Sequence, residues 1–147
     1  MNERFVANDQ PKSQSAHVAL HNMFKKMAET KSVVERNQRT LRAQTLQLKE
    51  KGKQLYYQEQ YAQSQLCYED ARLSGRNLAD FGPQTEEDKV ILSQVCLNLA
   101  ILARRKQKWE LCFQYTVEAL KLQPDYEKAQ KIQDIAFEAM NGDFSFL

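Results

Sequence analysis

Residues 48–71 read "LKEKGKQLYYQEQYAQSQLCYEDA". The stretch holds no catalytic motif, yet Leu48, Gly52, Leu55, Tyr61, Tyr68 and Ala71 stand where two short helices packed as a hairpin need bulk or close approach. The break between the helices falls at "QEQY", residues 58–61. A second stretch has the same organisation. Placing Tyr61 on Trp109 puts Tyr68 on Thr116, Ala71 on Ala119 and Gly52 on Ala100, with a second break at "KQKW" (106–109). One hairpin cannot bury both of its faces, so recurrence of the pattern predicts stacked hairpins.

Composition agrees. Among 147 residues, four Gly and three Pro leave little material for tight turns, and 27% charged residues suit solvated helix faces. The expected fold is all-α. The net charge of +2 is unevenly spread: residues 1–54 hold 11 Lys/Arg against 5 Asp/Glu, and residues 55–147 hold 10 against 14. The basic excess is diffuse and lacks interleaved aromatics, which argues against a nucleic-acid partner. No apolar run approaches the ~20 residues of a membrane span, so no membrane insertion is expected. The start "MNERFVANDQPK" lacks the features of a leader peptide. Three cysteines without metal spacing (Cys67, Cys96 and Cys112) read as small core residues in a reducing, cytoplasmic setting.

Along the chain, residues 1–12, with Pro11, read as a polar arm. Residues 13–44 read as a helical segment capped by Ser13 or Ser15, with an apolar stripe of Ala16, Leu20, Met23, Phe24 and Met27 to pack on the domain or a partner. Beyond it only Val34, Leu41 and Leu48 continue, seven apart. The polar Thr30, Asn37 and Gln44 between them disfavour a self-paired coiled coil. Gly75 weakens the second helix without ending it, and Gly82-Pro83 stops it. Thr85 with Asp88 three later is a capping-box pattern opening the next helix. That helix is apolar on much of its circumference (Val90, Ile91, Val95, Leu97, Leu99, Leu102), as a sandwiched helix must be. Pro124 ends the following helix, and "YEKAQKIQDIAFEAM" forms the last, closing at Asn141-Gly142.

The spacing of small residues, aromatics and the closing proline resembles the 34-residue tetratricopeptide repeat. On that resemblance the domain runs over 45–141, about two and a half repeats. The repeats fall at 45–78 and 93–126, with a half repeat at 127–141, an insertion at 79–92 and a tail at 142–147. "LKEKG" and "CLNLAILARRKQKW…ALKLQPDYEKA" resemble the repeat domains of large immunophilins and related cochaperones, which carry an insertion between their first two repeats. No isomerase domain accompanies the match, so no enzymatic activity is implied.

The resemblance implies a concave groove in which Lys, Arg and Asn from successive first helices hold the carboxylates of a chaperone tail ending in Glu-Glu-Val-Asp. Carried over, these positions are Lys49, Asn98 and Lys128. Two positions depart: Lys53 stands where Asn is usual, and Ile132 where Arg is usual. Arg105, two turns beyond Asn98, is a candidate to supplement the set. The implied function is a non-enzymatic, cochaperone-like adaptor binding an acidic or carboxylate-ended peptide. The alternative is a structural subunit of a large assembly docking through its amino-terminal helix and repeat surfaces. No cofactor or metal is expected. His17 and His21, four apart, have no third ligand within a turn and read as a surface pair. The tail "DFSFL" either folds back on the last helix or docks elsewhere.

Overall fold

Two reversals of the chain set the architecture, and both use the same backbone device. In the computed structural model, which describes residues 2–142 and side chains from residue 15, Glu59 (φ 61°) and Gln107 (φ 58°) adopt the left-handed conformation. At the first turn, the Gln60 N–H donates to Leu55 O (2.9 Å) and the Glu59 N–H to Tyr56 O (3.0 Å). At the second, Lys108 N–H donates to Ala103 O and Gln107 N–H to Arg104 O, both at 2.9 Å. Each pair is a Schellman motif, which satisfies the last carbonyls of a helix while turning the chain back. The left-handed residues are equivalent under the offset that places Tyr61 on Trp109. A left-handed non-glycine residue costs on the order of 1 kcal/mol, so packing on either side of the turn holds it there.

The elements are α1 (Asn2–Tyr57), α2 (Tyr61–Leu78), a 3₁₀ turn (Ala79–Phe81), α3 (Glu86–Arg105), α4 (Trp109–Leu122) and α5 (Glu127–Met140). The described residues contain no strand, and the chain is an all-α helical array. It divides into two units, one ending at Asn37 and the other beginning at Gln38.

In the unit ending at Asn37, the described part of α1 carries an uncovered apolar stripe. Leu20, Met23, Phe24 and Met27 are all exposed, at 49–62%. The arm expected over 1–12 is instead helical from Asn2 onward. Pro11 removes one donor from the ladder without ending the helix, and neither Ser13 nor Ser15 stands at its start.

The unit from Gln38 holds the core. α3 is the shared element, as its all-round apolar pattern requires. Val95, Leu99 and Leu102 pack with Tyr68 and Ala71 of α2, beside Leu48 and Tyr56 of α1. Cys96, Leu97, Ala100 and Ala103 pack with Cys112 and Ala119 of α4 and with Ala129, Ile132 and Ala136 of α5. Each fully buried leucine contributes about 1.5–3 kcal/mol. Small residues at the crossings let the helices approach closely. At Gly52 an added Cβ would stand 3.0 Å from the Tyr68 ring, and the buried Ser64 hydroxyl donates to Gly52 O at 2.7 Å.

The segment expected as an insertion, 79–92, holds the join between α2 and α3 and the first turns of α3. α2 runs unbroken through Gly75 and passes into the 3₁₀ turn. At Gly82 (φ 147°) a side chain would meet Gln38 Nε2 at 2.8 Å. α3 then begins at Glu86, so Glu86–Leu92 is helix, with Ile91 and Leu92 buried. Its start is a full capping box: the Asp88 N–H donates to Thr85 Oγ1, and the Thr85 N–H to Asp88 Oδ2. The same carboxylate receives two bonds from Arg42 on α1, Nε to Oδ1 (2.6 Å) and Nη2 to Oδ2 (2.8 Å). One side chain therefore caps α3 and pins it to α1. At the other end Gly142 (φ 79°) follows Asn141, as the expected cap pair should. The tail "DFSFL" lies outside the described residues.

Arg42 holds the Asp88 carboxyl below the usual carboxylate range, although burial opposes this. A lowered folded-state pKa contributes stability above the unfolded value, near 4, which is lost as pH falls through the folded value. Asp88→Asn should cost about 2–3 kcal/mol at pH 7 in urea unfolding, because charge-assisted bonds and half of the cap interaction are lost. The gap from wild type should close as pH falls below about 4. A gap that does not depend on pH would show that the ion pair adds nothing.

Candidate functional site

Three helices bring polar side chains to one cleft of about 380 Å³. α1 supplies Lys49, Lys53, Tyr56 and Tyr57, at steps of four, three and one that keep them on one face. α3 supplies Gln94, Leu97, Asn98 and Ile101, again one face by helical spacing. Lys128 comes from the first turn of α5, with Tyr126 just before it. Tyr68 of α2 reaches the cleft from beneath. Four of the five residues singled out in the sequence, Lys49, Lys53, Asn98 and Lys128, thus border one space.

Their states differ. The Lys49 amine donates to Gln94 Oε1, and burial lowers its pKa; Glu50 opposes that shift and Lys53 adds to it. Lys53 and Lys128 are exposed. Neither they nor Lys49 form an ion pair among the described residues. Burial pushes the Tyr68 hydroxyl up to about 12, so it stays protonated, and Asn98 lines the same cleft. A carboxamide has two N–H donors and a carbonyl, so Asn98 can offer donors to a ligand in the cleft. No carboxylate among the described residues lines the cleft. It is a pocket of cations and amides walled by tyrosines, suited to hold an anion.

Two expectations need correction. Arg105 does not border this cleft. Its guanidinium lies 3.7 Å from the centre of the Tyr61 ring, and it lines an adjoining cleft with Tyr56, Ile101, Arg104, Gln107 and Trp109. A position two turns beyond Asn98 is carried past the first space along the helix, and the ring next to it offers a cation–π partner. Ile132, taken as a groove position lacking a donor, is a core residue of α5 packed with Ala129 and Ala136, and it does not line the cleft. An apolar residue at that register gains more from the α4–α5 contact than from solvent.

Sequence reasoning missed Gln94, Leu97 and Ile101 on α3, and Tyr56, Tyr57 and Tyr126. Stepping three or four residues from Asn98 and from Lys53 would have found all but Leu97 and Tyr126. Of the cysteines, Cys96 and Cys112 are buried core residues, and burial pushes their thiols up to about 12 and about 11. Thiols so protonated at neutral pH are poor nucleophiles. Cys67 is only half-buried, outside both core clusters. No group of three or more His, Cys, Asp or Glu among the described residues is placed to hold a metal. No helix among them is long and apolar enough to cross a membrane. Compared with models of known protein families and with curated proteins, the chain matches none.

The cleft depends on the close approach at Gly52. Gly52→Val should drive a branched side chain into the confined Tyr68 ring and lower stability by about 1–3 kcal/mol in urea unfolding, despite better helix propensity. An unchanged stability would mean that the ring is free to move aside.

Proposed function

We propose that this protein is a non-enzymatic adaptor of tetratricopeptide-repeat type whose cleft captures an acidic peptide ending in a free carboxylate. The observation that carries the reading is the meeting of Lys49, Lys53, Asn98 and Lys128, from three helices, around one space that no carboxylate among the described residues lines. Convergent donors are what a terminal carboxylate requires, because its two oxygens accept several bonds at once. The equivalent Schellman turns support the repeat reading, since they place α1 with α2 and α3 with α4 as like hairpins. A cochaperone role in the cytoplasm, with a heat-shock chaperone tail as ligand, is the family-level form of the proposal. With Ile132 in the core, α5 gives the cleft Lys128 but no arginine, so such a tail should bind weakly.

A second reading, a structural subunit of a larger assembly, is favoured by one observation. The exposed stripe of Leu20, Met23, Phe24 and Met27 on α1 is an apolar helix face of the kind that packs on another protein.

Calorimetry with a short acidic peptide tests the first reading. The free-acid form should bind more tightly than its carboxy-terminal amide. Lys53→Ala and Lys128→Ala should each weaken the free acid by about fivefold, because both lysines are exposed and screened. Added salt should weaken it further. Equal binding of acid and amide would discard carboxylate capture and leave the structural reading in its place.

A further inference from the structure

The described part of α1 before Asn37 carries a surface that the lysine cleft does not use. Ala16, Leu20, Met23 and Met27 recur at steps of four, three and four, which keeps them in one line, and Phe24 widens it. All five are exposed. From Ala16 to Met27 the line runs about 17 Å at 1.5 Å per residue, the length of about three helical turns.

The relief of this surface is that of a helix-packing seam. A notch of about 570 Å³ is lined by Ala19, Asn22, Met23, Lys26, Met27 and Thr30. Those six form two overlapping sets at i, i+3, i+4 and i+7, one from Ala19 to Lys26 and the next from Met23 to Thr30. Four residues so spaced make the hole into which a side chain of a facing helix inserts.

The edges of the stripe carry one sign. By helical spacing Lys26 stands on one edge and Lys31 on the other. Both are exposed, and neither forms an ion pair among the described residues. Glu29, the only carboxylate between residues 16 and 31, falls on the far side of the helix. A second copy of this chain is therefore a poor occupant. In a parallel pair the Lys26 edge would face the Lys31 edge, and in an antiparallel pair each edge would face itself. Cation meets cation either way.

Deepening the second reading, that the stripe packs on another protein, we infer that its occupant is one amphipathic helix of a different protein with acidic residues along both edges. Apolar side chains of that helix fill the two holes around Met23, and its carboxylates meet Lys26 and Lys31. The holes favour a helix over a bilayer surface, which has no side chains to fill them. Carboxylate capture in the lysine cleft is not needed for this docking.

Fluorescence anisotropy on the full chain at low salt tests this with two labelled, end-capped peptides of three heptads. Both carry Leu at a and d; one carries Glu at e and g, the other Lys. Wild type should bind the Glu peptide about fivefold more tightly, and the double variant Lys26→Glu, Lys31→Glu should reverse that order. Met27→Glu, checked for fold by circular dichroism, should abolish binding of the Glu peptide. Equal binding of the two peptides, lost in Met27→Glu, would overturn the acidic partner and leave the second reading standing. Binding of neither peptide, or binding that survives Met27→Glu, would discard helix docking on the stripe and the second reading with it. A wild-type dimer in sedimentation velocity that Met27→Glu makes monomeric would overturn the inference in favour of a second copy. Tighter adsorption of wild type to phosphatidylserine vesicles than to the Glu peptide would overturn it in favour of a membrane surface.

Discussion

The ring of Tyr68 lies against α1 at Gly52, where even a methyl group would crowd it, and it packs in one core cluster with Val95, Leu99 and Leu102 of α3. This one side chain, only 3% exposed, fixes the distance between the helix carrying Lys49 and Lys53 and the helix carrying Asn98. A glycine in mid-helix costs about 1 kcal/mol relative to alanine. Here the close approach it permits is shared by the core and the cleft. The Ser64 hydroxyl, bonded to Gly52 O, holds the same crossing from the next turn.

α3 carries the remaining constraints. Its start is fixed by Asp88, which caps the helix and receives the Arg42 fork, and its end by the Schellman turn at Gln107. Acidic residues in its first turn and arginines in its last suit the helix dipole. Between these ends, one face packs toward α2, another toward α4 and α5, and the polar remainder lines the clefts. Arg72 of α2, paired with Glu118 of α4 at 2.8 Å and set over the Tyr115 ring, ties together the two helices that do not line the lysine cleft by their length.

What could be read from the sequence was local. The reversals at 58–61 and 106–109, the capping box at Thr85, the stop at Gly82-Pro83 and the sandwiched character of α3 depend on neighbours a few residues away, and all are present. Less legible were features that depend on chain segments far apart. The fork by which Arg42, more than forty residues upstream, meets Asp88 at the start of α3 had no local signal. Ile132 was assigned by register with a family pattern and Arg105 by its distance along the helix from Asn98, but core packing drew one inward and the Tyr61 ring drew the other to the next cleft. Tyr126 entered the cleft through a turn whose direction no periodicity encodes.

The central claim is that the lysine cleft is where a carboxylate-ended peptide sits. An amide NMR titration of the uniformly ¹⁵N-labelled protein with such a peptide tests it most directly. The expected result is progressive shifts of the Asn98 side-chain amide and of the backbone amides of Lys53, Ile101 and Lys128, with Glu110 and Gln114 on α4 unmoved. Shifts confined to residues 15–37, or spread evenly over the surface, would contradict it.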